Sequence, residues 1–209
     1  MFTEAPSWVA EALVRLGIVR FAEHAVFFKS GIRAPMYIDC RMIVGMTNLR
    51  SELLDLLEEE VRGIIGPSDI IAGVAMGAVP LSAIMADHLE RDYCYVRLDN
   101  KDRGTGASVN GADVAGQPVL LFEDVVTMAE TSAPCIKKLR EHGARVEKIV
   151  SLVSYDFPAA AERFQALGVT HHTLVPFKAL LLEMEKQFPP EQVSVIRKWH
   201  RDPHAWSTT

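Results

Sequence analysis

From Asp69 onward the chain alternates short apolar runs with amphipathic segments, and no other feature of the sequence constrains the fold as tightly. Ile70 to Val74, Tyr93 to Arg97, Pro118 to Phe122, Val146 to Ser154 and His171 to Leu174 read as strands of a buried sheet, by length and by their β-branched and aromatic content. Between and after them, Val79 to Glu90, Thr131 to His142, Ala159 to Leu167 and Lys178 to Gln187 read as amphipathic helices. Strand and helix in alternation is the pattern of a mostly parallel sheet flanked by helices, so the expected fold class is α/β. A chain of 209 residues buries a full core, and one domain is expected: an N-terminal segment 1–45, a core 46–187, and a C-terminal helix and tail 188–209.

Ahead of the core, Val9, Leu13 and Leu16 recur at helical spacing and stop at Gly17. Val19 to Phe28 reads as extended, Ser30 to Pro35 as a turn, and Met36 to Asp39 as a second strand. Thr47 or Asn48 is placed to cap a helix running through Val61. The stretch Leu98 to Gly116 holds Gly104, Gly106, Gly111 and Gly116 and shows neither strand nor helix period, so it is expected to be a long loop of the kind that forms lids.

Charge and cysteine usage exclude several partners. A net charge of −5 without a compensating run of Lys and Arg argues against nucleic acid. Cys40, Cys94 and Cys135 are odd in number and form no CxxC pair, which predicts reduced thiols and a reducing compartment. The chain opens without a charged-then-apolar leader. Its most apolar stretch, Ile70 to Ala86, is shorter than the ~20 residues of a membrane helix and contains Gly73, Gly77 and Pro80. A cytoplasmic protein without a membrane partner is therefore expected.

Val119 to Phe122 followed by Glu123-Asp124 is an apolar strand delivering two carboxylates to the carboxyl edge of the sheet, where open α/β sheets bind ligands. Such a pair can hold ribose hydroxyls or a metal carrying a polyphosphate, with Thr131 and Ser132 opening the next helix where anions are favoured. The plainer alternative is a polar strand end. The string resembles the fingerprint of the type I phosphoribosyltransferases, in which an apolar strand runs into two acids and a phosphate loop. Other segments resemble the orotate branch of that family. They are Phe28 to Arg41, with its Ser-Gly, Pro-x-Tyr and Asp-x-Arg elements; Gly73 to Pro80; Tyr95-Val96-Arg97 with Lys101-Asp102-Arg103-Gly104-Thr105-Gly106 and Gly111; and the tail with Arg197-Lys198-Trp199, Asp202-Pro203 and Trp206.

The resemblance implies a type I phosphoribosyltransferase fold with an N-terminal hood (1–45) and a lid (98–116). It also implies transfer of ribose 5-phosphate from phosphoribosyl pyrophosphate to orotate, with Mg²⁺ bound. It carries over catalytic roles for Lys101, Arg103 and Asp124. Arg97, Lys101, Arg103, Glu123, Asp124, Val125, Val126, Thr127, Met128, Ala129, Glu130 and Thr131 would bind phosphoribosyl pyrophosphate, and Thr127 and Lys29 would bind orotate. A homodimer with the lid shared across its interface follows from the same resemblance. For Lys29, Lys101, Arg103 and Arg97 the alternative is an ordinary surface charge.

The phosphate loop departs from the family pattern, which reads Thr or Ser, Thr, Gly, Gly, Ser where this chain has Thr127-Met128-Ala129-Glu130-Thr131. Glycine permits positive φ and close backbone approach to phosphate. Glu130 also adds a like charge, worth roughly 3 kcal/mol per unit of repulsion at ~5 Å and an effective dielectric of about 20, unless it points to solvent or pairs with a base. Arg103 stands where a His is usual, and Ser154-Tyr155-Asp156-Phe157 lacks an Arg that some members carry. These departures leave two other readings open: a catalytically impaired nucleotide-binding or regulatory relative, and transfer to another base. His171-His172 point to opposite faces of a strand, and Pro203 breaks the spacing of His200 and His204, so no histidine metal site is expected. His200 and His204 read as surface or tail residues, and Trp199 and Trp206 as anchors of the tail.

Overall fold

The computed structural model describes residues 7–98 and 108–207. The apolar runs form a six-stranded sheet from β3 (Ile70–Val74), β4 (Tyr93–Val96), β5 (Val109–Gly111), β6 (Pro118–Val126), β7 (Arg145–Ser154) and β8 (Thr170–Pro176), in the order β5-β4-β3-β6-β7-β8. All pairings are parallel except that of β5 with β4. The intervening helices are α3 (Val79–His88), α4 (Ser132–Glu141), α5 (Pro158–Ala166) and α6 (Phe177–Gln187). β3 and the first part of β6, from Val119 to Glu123, are buried throughout, because helices cover the sheet and the runs are apolar without alternation.

Upstream lie α1 (Ser7–Arg15), a hairpin of β1 (Val19–Phe27) and β2 (Arg33–Ile38), a 3₁₀ helix (Cys40–Gly45) and α2 (Thr47–Arg62). The hairpin is a separate two-stranded sheet above the core. β2 begins earlier than expected and takes in Pro35, which lacks an N–H. The hairpin register is irregular between Phe21 and Val26, and Pro35 sits across from that break, where no ladder bond is lost. Neither Thr47 nor Asn48 caps α2. Met46 holds the N-cap position without a side-chain bond, and its carbonyl accepts from the N–H of Arg50 at 2.8 Å.

The expected loop 98–116 yields a strand at its far end. Gly111 in β5 has φ 118, and a Cβ there would overlap the carbonyl oxygen of Tyr93 on β4. The glycine that looked like loop chemistry instead permits close pairing at the sheet edge.

The chain closes with α7 (Pro190–Arg201) and α8 (Pro203–Ser207), both packed on β2. Trp199 is fully buried and its indole N–H donates to the carbonyl oxygen of Arg33 at 2.9 Å. Trp206 lies under the guanidinium of Arg33, 5.7 Å from the ring centroid. His200 departs from the surface role expected of it. It stacks on Phe177 with centroids 3.8 Å apart, and its Nε2 lies 2.6 Å from the carbonyl oxygen of Tyr155. Phe28 of the hairpin segment meets Tyr155 at 5.4 Å and Trp199 at 5.9 Å, so one aromatic seam joins hood, sheet and tail. His204 is exposed, as expected. Cys40, Cys94 and Cys135 are buried, unpaired thiols. Among the described residues no helix is long and apolar enough to cross a membrane.

Trp199→Ala removes the centre of this seam. Urea unfolding is expected to show a loss of about 3–5 kcal/mol, the usual cost of truncating a buried aromatic. A loss under about 1 kcal/mol, the level of a surface substitution, would show that the tail does not hold the hood.

Candidate active site

β6 outruns one of its neighbours. Its last partner on β3 is Phe122, opposite Gly73, whereas β7 accompanies it to Val126, opposite Ser154. Glu123 and Asp124 therefore emerge beside the carboxyl end of β3. The strand order also reverses at this point, since β3 leads through α3 to β4 on one side and β6 leads through α4 to β7 on the other. A crevice opens where neighbouring crossovers diverge in this way.

The two acids have different surroundings. Glu123 is 6% exposed, and its Oε2 accepts a hydrogen bond from Ser132 Oγ at 2.8 Å. Burial, and then the negative charge of Asp124, push its carboxyl well above the usual range, against the pull of Ser132 and of the Lys29 charge. Burial raises Asp124 as well, while backbone N–H groups at Val125 and Asp124 and the charge of Arg41 favour its ionised form. Both carboxyls are thus raised by burial, and Asp124 differs from Glu123 in having backbone N–H groups and the Arg41 charge on its side.

Both line a cavity of about 360 Å³. From the core come Val125, Thr127, Glu130, Thr131, Tyr155 and the segment Ala75-Met76-Gly77; from the hood come Phe27, Phe28, Lys29, Tyr37, Ile38, Asp39 and Arg41. Gly77 is essential to the approach, because a Cβ there would overlap the Asp124 carboxylate. On the hood side, Arg41 grips Asp39 with two bonds, Nε to Oδ1 at 2.6 Å and Nη2 to Oδ2 at 2.9 Å, and Nη2 also donates to Tyr37 Oη at 3.3 Å. That grip holds the Asp39 carboxyl below its ordinary value.

The structure brings Lys29, Glu123, Asp124, Val125, Thr127, Glu130 and Thr131 to this cavity. Val126, Met128 and Ala129 are buried in the core, so contact of their side chains with a ligand in the cleft gives way to contact through backbone alone. Arg97 follows β4 and donates its backbone N–H to the carbonyl oxygen of Ser108 at 2.8 Å; it is not among the residues lining the cavity. Lys101 and Arg103 lie outside the described residues. The charge objection to Glu130 is met by pairing, since its Oε1 stands 3.6 Å from Arg163 Nη1. Ala129 adopts φ 58, the left-handed conformation that a glycine would take without strain.

Sequence reasoning used Tyr37, Asp39 and Arg41 as landmarks of the hood and gave them no place in the site. Their two-residue spacing, which sets polar groups on one side of an extended chain, was the available signal. His171 Nε2 lies 2.8 Å from Ser151 Oγ, and burial lowers its pKa to about 4. Among the described residues, the one cluster of three possible metal ligands, Asp55, Glu58 and His88, lies on α2 and α3 outside the cavity.

Glu123 binds its proton more tightly in the folded chain than in the unfolded one. Its contribution to stability is therefore complete below pH 4.5, the ordinary value, and is lost as the pH rises through the raised folded value. Glu123→Gln keeps the shape without the titration. The melting temperature of the variant relative to the parent should rise as the pH is raised above 4.5; a pH-independent difference would contradict the assignment.

The phosphoribosyl transferase domain family matches residues 47–175. The orotate phosphoribosyltransferase of Levilactobacillus brevis is 29% identical over 202 residues, covering 95% of this chain and 96% of that protein. Its counterpart from Bacillus caldolyticus is 28% identical over 203 residues, covering 96% and 98%. Among solved structures, the orotate phosphoribosyltransferase from Aeropyrum pernix is 30% identical with a TM-score of 0.75, over 85% of this chain and 98% of that one. Leishmania donovani UMP synthase is similar at a TM-score of 0.80 and 28% identity over 93% of this chain, which spans 42% of that longer protein. With a mostly parallel sheet that reverses its order at an acid pair, and relatives matching over nearly its full length, this chain belongs to the phosphoribosyl transferase family, in its orotate phosphoribosyltransferase branch.

Proposed function

We propose that this protein transfers ribose 5-phosphate from phosphoribosyl pyrophosphate to orotate, giving orotidine 5′-monophosphate and pyrophosphate, a step of pyrimidine synthesis. The observation that carries the reading is the acid pair at the sheet reversal, facing a cavity that also receives the cations Lys29 and Arg41. Positive charge grows at the anomeric carbon as the diphosphate leaves. A preorganised carboxylate in a partly desolvated cleft stabilises that charge without reorganisation.

Asp124 faces the developing cation and accepts from a ribose hydroxyl. Glu123, held by Ser132, takes the second hydroxyl. The 5-phosphate lies against loop 127–131 and the start of α4, since a helix N-terminus favours anions. Phe28 and Tyr155 give the pyrimidine an aromatic wall, and Lys29 with Thr127 takes its carboxylate and ring oxygen. Arg97, Lys101 and Arg103 belong to the lid that neutralises the diphosphate. The oxygen donors of Asp124 would fit Mg²⁺, which prefers one or two carboxylates together with substrate phosphates. Mg²⁺ supplies charge neutralisation on the leaving group. A cytoplasmic homodimer with the lid shared between subunits completes the proposal.

Mixing protein, Mg²⁺, phosphoribosyl pyrophosphate and orotate should consume orotate absorbance, and a chelator should stop it. No loss of absorbance at high protein concentration, together with thermal stabilisation by orotidine 5′-monophosphate, would replace transfer by binding alone. For the shared lid, Lys101→Ala and Asp124→Asn should each be nearly inactive, and mixing them should restore part of the activity by forming one intact site per mixed dimer. Failure of mixed subunits to regain activity would place the lid over its own site.

A further inference from the structure

Glu130 stands in the loop that the proposed reading gives to the ribose 5-phosphate, and a carboxylate there opposes a phosphate. Its side chain lies between two cavities. One is the substrate cleft; the other, of about 630 Å³, opens between α4 and α5 and is lined by Ala129, Ala133, Lys137, Arg163 and Leu167 among others. Arg163, in the last turn of α5, reaches the loop from this second side. Its Nη1 donates to the carbonyl oxygen of Met128 and stands 3.6 Å from Glu130 Oε1. One nitrogen thus holds the backbone just before Ala129 and the carboxylate just after it. Ala129, between them, is 2% exposed and left-handed. Glu130 Oε2 is buried without a hydrogen-bond partner, so among the described residues it is Arg163, at Oε1, that turns this carboxylate.

We propose that Arg163 is a positioning residue for phosphoribosyl pyrophosphate: it draws the Glu130 carboxylate toward the α4–α5 cavity and pins the Met128 carbonyl, so that loop 127–131 offers N–H groups to the 5-phosphate. This rests on the transferase reading of the same site. Two features of the loop that look incompatible with phosphate, a left-handed alanine and an acid, are then one device with Arg163 as its third part. An unrestrained Glu130 side chain can swing into the cleft that it already lines, and its charge competes with the phosphate for the same donors. The Arg163 side chain is 42% exposed and that of Glu130 24%, so solvent screens the pair and the effect stays below the full Coulomb limit.

The test is a double-mutant cycle on the full chain with Arg163→Ala, Glu130→Gln and the two combined. Arg163→Ala should raise KM for phosphoribosyl pyrophosphate about 10- to 100-fold with kcat changed far less. Glu130→Gln alone should lower KM, because the charge that opposes the phosphate is removed. The combined variant should recover most of the lost affinity, because no charge remains to be held back. A merely structural arginine predicts the opposite: the combined variant stays as weak as Arg163→Ala. That result, or an unchanged KM in Arg163→Ala, overturns the proposal. Should the parent protein lack turnover, calorimetry with ribose 5-phosphate across the same four proteins separates the two failures. Binding that follows the cycle upholds the role of Arg163 while the transferase reading falls, and binding absent from the parent sinks both.

Discussion

Two carboxylates on adjacent residues of one strand, one buried and the other partly so, are the constraint around which this molecule is arranged. A sheet interior ordinarily excludes such a pair, because each ionised acid loses hydration and repels the other. β6 accommodates it by extending beyond β3, which leaves Glu123 and Asp124 at the rim rather than within the layer. Alternation along the strand then separates their surroundings. Glu123 turns to Ser132 at the start of α4, while Asp124 turns to the segment at Gly77 and to the field of Arg41. The pair is thereby held at a fixed position beside the cleft, which suits a site meant to face a developing cation.

A rim site is incomplete without a roof, and the roof is a two-stranded hairpin, an element with little stability of its own. The aromatic seam explains how it is retained. Trp199 donates to the carbonyl of Arg33 in β2, and its ring meets Phe28, Tyr155 and Phe157. Tyr155 itself both belongs to the seam and lines the cavity. The last helices of the chain therefore act on the site from a distance, by holding Lys29, Asp39 and Arg41 against the acids they face. Removing the seam would loosen the cationic wall before it disturbed the sheet.

Much of this was legible in the sequence, and the boundary of what was not has a physical cause. Ile70 to Val74 appears as read because a buried parallel strand is specified by its own apolar run. The bounds of α3 to α6 likewise fall within a residue or two of those read from the sequence, and α4 to α6 follow their own apolar periodicity. β5, by contrast, is three residues of mixed polarity whose strand state depends on the backbone of β4, which no local pattern reports. His200 looked like a tail residue because its partners Phe177 and Tyr155 are distant in sequence. Tyr37, Asp39 and Arg41 were visible as a motif, yet their place in the cleft follows from where the hairpin docks, and that is set by Trp199 far along the chain.

The loop after β6 separates residue identity from geometry. Glycine is common where phosphate must approach backbone because it tolerates positive φ at no steric cost. The requirement is the conformation, and an alanine can meet it when surrounding contacts outweigh a penalty of roughly 1–2 kcal/mol. Here those contacts are identifiable: the Ala129 methyl is buried, the Met128 carbonyl is held by Arg163, and the carbonyl of Ala129 accepts the N–H of Ala133 at 3.0 Å in the first turn of α4. None of these partners belongs to the motif itself. A departure from a motif is thus read correctly only together with the residues packed behind it, and in this chain the residue behind the phosphate loop is an arginine from the next helix.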